Sequence, residues 1–206
     1  MGDPKKPRKK MDKPSHPWEG ERIAAENELK RKYALKNKKE LWKAETELRR
    51  IRRRARLLFP KVGRGNPQVE KEKEELLNSL VRKGILSQGS DLSSVLSLDT
   101  EAILSRRLQT VVYLKGLART PKQARQFITH GHIAIAGRRV TVPGYIVKRE
   151  EEDLISFYPG SVLANEMHPL RKTEEDITEE ELEELKKRRA QRRKGPVGKR
   201  RAQRNN

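Results

Sequence analysis

The residues best equipped for chemistry in this sequence are cations. Between Ala102 and Arg149 the chain carries ten lysines and arginines and no aspartate or glutamate. A merely solvated face mixes signs because like charges repel, so a one-sign stretch inside a patterned region points to a surface that meets phosphate. Arginine suits that task through its planar fork of donors, which grips phosphate by paired hydrogen bonds. A second basic run comprises Arg49, Arg50, Arg52, Arg53, Arg54 and Arg56, preceded by Lys36, Lys38 and Lys39. Other chemistries find little support. The absence of cysteine removes thiolate nucleophiles, disulfides and cysteine-based zinc, and the four histidines are scattered. The carboxylates at Glu150 to Asp153 are consecutive, whereas acid/base catalysis needs two carboxyls in different environments of one cleft; a turn is expected there, leading into a strand over Leu154 to Phe157. No phosphate-cradling glycine motif, nucleophile elbow or metal-spaced histidine pair occurs. Neither enzymatic activity nor a cofactor or metal is expected.

The distribution of charge supports an RNA partner. Over 206 residues, 49 Lys and Arg against 29 Asp and Glu give a net charge of +20. Residues 1–60 and 186–206 each carry a net +11, and the segment between them is nearly neutral. Hydrophobic residues make up 33% of the chain, below the roughly 45–50% of a typical globular protein, so a partner must cover part of the surface. An anionic membrane is the competing partner. It is disfavoured because no apolar run approaches the ~18 residues of a membrane span and the basic helices lack a continuous aromatic and leucine face. Pro, Ser and His stand where a secretory signal would place its apolar core, so an intracellular, cytoplasmic location is expected.

The elements that must position these cations can be read from periodicity. Pro4, Pro7, Pro14 and Pro17 among lysines predict an extended arm, with Trp18 anchoring its end. From Glu21 to Phe59 no Pro or Gly interrupts, and Leu41, Ala44, Leu48, Ile51, Ala55 and Leu58 recur at steps of three and four, the mark of an amphipathic helix. Pro60, Gly63, Gly65 and Pro67 break it. Leu76, Leu77, Leu80 and Val81 predict a helix over Glu70 to Lys83 that Gly84 closes. Asp91 and Asp99 are expected to cap two short helices.

Leu108, Val111, Val112 and Leu114 predict a further short helix that stops at Gly116. Thr120 then has the features of an N-cap: Pro121 suits the first helical position, and Gln123 completes a capping box. In that helix Ala124, Phe127 and Ile128 share one face, while Lys122, Arg125, Gln126 and Thr129 share the other. Gly131 ends it. His132 to Ile135 and Arg139 to Val142 read as two strands around a tight turn at Ala136 and Gly137, with Arg138 and Arg139 beside it. Arg106, Arg107, Lys115, Arg119, Lys122, Arg125, Arg138 and Arg139 would then form a basic saddle suited to A-form RNA, which is recognised largely by shape. Thr120, Gln123, Gln126 and His130 complete the expected contact set, with packing an equally good account of His130 and His132.

The segments RRLQTVVYLKGLARTPKQARQFI and GHIAIAGRRV resemble the small RNA-binding module named after small-subunit ribosomal protein S-four, over about sixty residues. YALKNKKELWKAETELRRIRRRAR, from Tyr33 to Arg56, resembles the amino-terminal segment of the archaeal and eukaryotic branch of that family, with the archaeal members the better match. The resemblance implies a structural protein that binds the 5′ domain of small-subunit ribosomal RNA at a multi-helix junction and nucleates assembly. It would lie near the messenger entrance beside ribosomal protein S-five, contributing to translational accuracy. Many bacterial relatives carry a cysteine-based zinc site near the amino terminus; this chain has no cysteine. Similar modules also occur on pseudouridine synthases and tyrosyl-tRNA synthetases, but the remaining length leaves no room for a catalytic domain. A free-standing ribosome-associated factor is the other alternative, and it would lack the Tyr33 to Arg56 segment.

From Thr173 the chain turns acidic and then basic, an order that suits a helix dipole, and is expected to form a docking helix followed by a basic arm that orders on RNA. The expected fold class is α+β. It comprises an extended basic arm (1–20), a helical rRNA-binding body (21–101), an S-four-type RNA-binding module (102–165), and an acidic helix with a basic tail (166–206). Replacing Lys122, Arg125, Arg138 and Arg139 by Glu is expected to abolish binding to a ribosomal RNA junction without unfolding the protein. Neutralising the Arg49 to Arg56 stripe should flatten the slope of log affinity against log salt, as measured by filter binding across a salt series.

Overall fold

The computed structural model describes residues 9–62, 66–165 and 168. The expected acidic helix and basic tail from Thr173 lie outside the described residues, as do residues 1–8 of the arm. The fold is of mixed α and β type, with helices dominant.

The helical body is arranged around one long element. Helix α1 spans Gly20–Lys32 and α2 spans Lys38–Leu58. The uninterrupted helix expected from Glu21 to Phe59 is therefore two. The break lies at Ala34, which takes a left-handed φ of 45°, and at Asn37, whose side chain accepts from the Glu40 amide at 3.3 Å and caps α2. Neither Pro nor Gly marks this turn; Asn37 is the local signal for it. The apolar stripe of α2 is buried as its spacing predicts. Ala55 and Leu58 pack with Leu76 and Leu80 of α3 (Pro67–Arg82) and with Leu92 and Val95 of α4 (Leu92–Ser97). Leu41, Ala44 and Leu48 pack with Ile103 and Leu104 of α5 (Thr100–Ser105). Asp91 and Asp99 occupy the N-cap positions of α4 and α5, but neither side chain makes the capping bond. Trp18 does not anchor the arm: it is 91% exposed. The arm is held instead by Thr46, whose hydroxyl accepts from the Asp12 amide at 3.0 Å.

In the following module, α6 (Leu108–Leu114) and α7 (Pro121–His130) cover a small antiparallel sheet of order β2-β1-β3. β1 is Ile133–Ile135, β2 Arg138–Arg139 and β3 Ile155–Phe157. Ala136 and Gly137 form the expected two-residue turn, with φ of 49° and 76°, so Ile135 pairs with Arg138 and Ala134 with Arg139. Strand β2 thus begins at Arg138, one residue earlier than expected, and ends at Arg139. The third strand joins β1 through Ile133 with Phe157 and Ile135 with Ile155, so β1 lies in the middle and is buried along its length. Val112, Phe127 and Ile128 from the helices meet Ile133, Val147 and Ile155 in one apolar cluster. Residues Glu150 to Asp153, expected as a turn, begin with a short helix, α8 (Arg149–Glu152).

Body and module are joined by polar contacts buried between their apolar clusters. Glu40, in the first turn of α2, receives Arg125 of α7 in a bidentate pair, Nη2 to Oε1 at 2.7 Å and Nη1 to Oε2 at 3.2 Å. Arg107, at the N-cap of α6, adds a bond to Oε2 at 2.7 Å. Beside them Gln109, 1% exposed, donates to the carbonyls of Tyr33, Ala34 and Pro121 at 3.0 to 3.3 Å and accepts from Arg125 at 3.2 Å. The left-handed Ala34 is thereby tied to the module. Burial alone would raise the Glu40 carboxyl, but the hydrogen bonds from Arg125 and Arg107 outweigh it and hold the group below the usual glutamate range. A carboxyl depressed in the folded state stabilises the fold above its unfolded value of about 4.3 and loses that contribution as pH falls through the depressed value. Glu40→Gln would leave two guanidinium groups without a countercharge, Arg107 being only 10% exposed at its side chain. The expected cost is about 3 kcal/mol, or roughly 6–12 °C in Tm by calorimetry at pH 7. The gap between variant and parent should narrow as pH falls below the unfolded value and through the depressed one; an unchanged Tm at neutral pH would show that the clamp does not stabilise the fold.

Candidate nucleic-acid interface

The acid-free run from Ala102 to Arg149 divides into cations that face inward and cations that face out. Arg106, Arg107 and Arg125 belong to the first group. Arg106 donates from Nε to the Lys83 carbonyl at 3.0 Å and pairs with Glu152 at 2.8 Å, which ties the end of α3 to α8. Its guanidinium lies where a Cβ on Gly84 would stand, 2.8 Å away, and Gly84 has a φ of 67°. Arg107 and Arg125 are held by Glu40. Three of the eight arginines and lysines of the expected saddle thus have carboxylate partners contributed by α2 and α8, which the absence of acids within the local stretch did not reveal. The expectation that Arg125→Glu leaves the fold intact is corrected, since that change would set a glutamate against Glu40. Thr120 and Gln123 act on the backbone. Thr120 accepts from the Gln123 amide at 3.2 Å, and Gln123 accepts from the Arg119 amide at 2.9 Å, one residue before the cap rather than on it.

The outward group forms a strip. Lys122 and Gln126, one turn apart on α7, are exposed, as are Arg119 before the helix and His130 at its end. Gly131 then takes a φ of 78°, and the Arg139 side chain crosses it, 2.8 Å from the position of an added Cβ. The left-handed conformation favours glycine here. The hairpin thus sets exposed Arg138 and Arg139 against the carboxyl end of α7, extending the strip from helix to hairpin. His132 lies behind it, its ring nitrogen 2.7 Å from the Ser161 hydroxyl. Lys115, at the far end of α6, stands 3.9 Å from Asp153.

A second set of cations belongs to α2. Arg53, Arg54 and Arg56 are exposed, as are Lys36 and Lys39 near its start. Arg49 and Arg50 are exposed but touch the arm, Arg49 at Asp12 (3.5 Å) and Arg50 at the Lys9 carbonyl (3.3 Å). Arg52 turns inward to the Leu98 carbonyl, and Lys38 pairs with buried Glu26 at 2.9 Å. Two of the carboxylates at 150–153 are structural: Glu151 accepts from the Tyr145 hydroxyl at 2.8 Å and Glu152 from Arg106. Among the described residues no group of three or more metal-ligating side chains is found, and no helix is long and apolar enough to cross a membrane.

Inspection of the sequence missed Glu40 and Gln109. Gln109 does carry a signal, being a polar residue one turn before Val112 on an apolar helix face; Glu40 carries none, since its partners lie 67 and 85 residues away. For an interface built on Lys122, Arg138 and Arg139, replacing these three by Glu is expected to preserve circular dichroism and Tm. It should also flatten the log affinity against log salt slope by about three units, roughly one per phosphate contact. Arg125→Glu is expected instead to lower Tm. Equal loss of Tm in both variants would contradict this division of the arginines.

The S4 domain family matches residues 106–153, the stretch that holds α6, α7, strands β1 and β2, and α8. The small ribosomal subunit protein uS4 of Methanothermobacter thermautotrophicus is 55% identical over 174 residues, 84% of this chain and 100% of its own length. The uS4 proteins of Methanococcus maripaludis (strain C6) and Methanosphaera stadtmanae are 56% and 48% identical, over 83% and 88% of this chain and 95% and 97% of their own lengths. These relatives are ribosomal proteins and not enzymes. With 55% identity over 84% of its length and the whole of an archaeal relative, the chain belongs to the uS4 family of small ribosomal subunit proteins.

Proposed function

We propose that this protein is a structural constituent of the small ribosomal subunit that binds small-subunit ribosomal RNA directly, at a multi-helix junction of the 5′ domain. The observation that carries the reading is the outward strip from Arg119 through Lys122 and Gln126 to Arg138 and Arg139, within the matched S4 domain. Such a strip, with planar guanidinium forks at its hairpin end, meets the phosphates and 2′-hydroxyls of A-form RNA by shape. The exposed arginines of α2 supply a second group of phosphate contacts. Because the Glu40 clamp orders body and module before RNA arrives, little conformational entropy remains to be lost on binding. This favours a role early in assembly, as a nucleus on which the RNA junction folds. A position near the messenger entrance beside ribosomal protein S-five, with a contribution to translational accuracy, is the further part of the proposal, as is the cytoplasm as its location.

Sedimentation of cell lysate in a sucrose gradient, with sequencing of the RNA crosslinked to the protein, tests the reading. Stoichiometric migration with small subunits and crosslinks in the 5′ domain are expected. Substoichiometric migration would favour a free-standing ribosome-associated factor, and crosslinks confined to transfer RNA would overturn the proposal.

A further inference from the structure

A cleft of about 740 Å³ opens between α2 and the segment that follows β2. Its charges do not cancel. Glu40 is occupied by Arg107 and Arg125, and Glu47 faces Lys83 at 3.4 Å. Lys10, Lys43 and Arg50 also line it, and none of them has a carboxylate partner among the described residues. Opposite the cations stands an apolar wall that includes Val142 and Ile146, Val142 being 58% exposed. A large exposed apolar side chain facing a group of unpaired cations leaves both poorly covered by the protein itself.

Resting on the RNA-binding reading above, we infer that this cleft receives a single unpaired nucleotide of the bound RNA, with its phosphate on Lys10, Lys43 and Arg50 and its base against Val142 and Ile146. Three observations select this occupant. The volume falls within the range of small-ligand pockets, about 300–1,000 Å³, and is far too small for a duplex. Cations on one side and an aliphatic wall on the other reproduce the two halves of a nucleotide, and unpaired bases are the parts of RNA that proteins can draw out and hold. The cleft is also continuous with both basic surfaces: Arg50 belongs to the arginine run of α2, and Arg125, which lines the cleft, stands one turn from exposed Lys122 on α7. An RNA strand lying on these surfaces passes its mouth. An acidic peptide would satisfy the cations but would gain little from the apolar wall.

Full-length protein bound to small-subunit ribosomal RNA and irradiated at 254 nm, followed by mass spectrometry of peptide–nucleotide adducts, tests the inference. The expected adduct joins one unpaired nucleotide to the peptide containing Val142 to Ile146 or to that containing Lys43. Val142→Asp and Lys43→Glu, both at exposed positions, should each weaken binding about tenfold with Tm unchanged. Removing the crosslinked base should weaken binding to the parent protein but not to Val142→Asp. Adducts confined to Lys122, Arg138 and Arg139, with both variants binding at the parental affinity, would overturn the cleft assignment while leaving the RNA-binding reading in place. Adducts in the cleft from base-paired nucleotides, or its occupation by an acidic segment of a neighbouring protein in assembled subunits, would also overturn it. Absence of any RNA affinity in the parent protein would overturn the underlying reading instead.

Discussion

A carboxylate in the first turn of α2 holds two guanidinium groups that arrive from helices far along the chain, and the relation between the two basic surfaces follows from that contact. Glu40 takes Arg125 in a bidentate grip and Arg107 on its remaining lone pairs. Transferring these charges out of water is costly, and the geometry offsets the cost by filling the acceptor sites with charge-assisted bonds. Gln109 extends the network to the carbonyls of Tyr33 and Ala34, so the left-handed alanine that separates α1 from α2 is stabilised by the module rather than by its own sequence. A shift at this point would move α2 relative to α7, and with it one set of cations relative to the other.

The same contact explains why a basic protein invests arginines in its own interior. One carboxylate between two guanidinium groups leaves a local excess of one positive charge beside a cleft that already holds Lys10, Lys43 and Arg50. In a partly buried setting that excess is poorly screened and extends toward an approaching anion. The partly buried arginines Arg107 and Arg125 thus add to the field of the cleft, while cations such as Lys122, Arg138 and Arg53 are exposed. Two glycines serve this arrangement through backbone geometry: Gly84 and Gly131 take positive φ where the Arg106 and Arg139 side chains pass close to them. The capping pair Thr120 and Gln123 serves it too, by starting α7 at the residue that leaves Lys122 outward and Ala124, Phe127 and Ile128 inward.

What the sequence by itself determined was local. Helical spacing marked α2 from Leu41 to Leu58 and α7 from Pro121, because burial of one face imposes a period of 3.6 that nearby residues alone display. The Ala136–Gly137 turn and the stops at Gly84, Gly116 and Gly131 were legible because each needs positive φ locally, at two positions in the turn and at one in each stop. The density of cations likewise identified an RNA partner, since net charge needs no folding to be counted. Only the tertiary structure decided which cations are exposed and which have carboxylate partners. Whether an arginine is free depends on the carboxylates that packing brings to it, and Glu40 and Glu152 reach Arg107, Arg125 and Arg106 across 46 to 85 residues of chain. The pairing of β3 with β1 was decided at the same level. It depends on a contact between segments distant in sequence, and a local pattern carries no record of that.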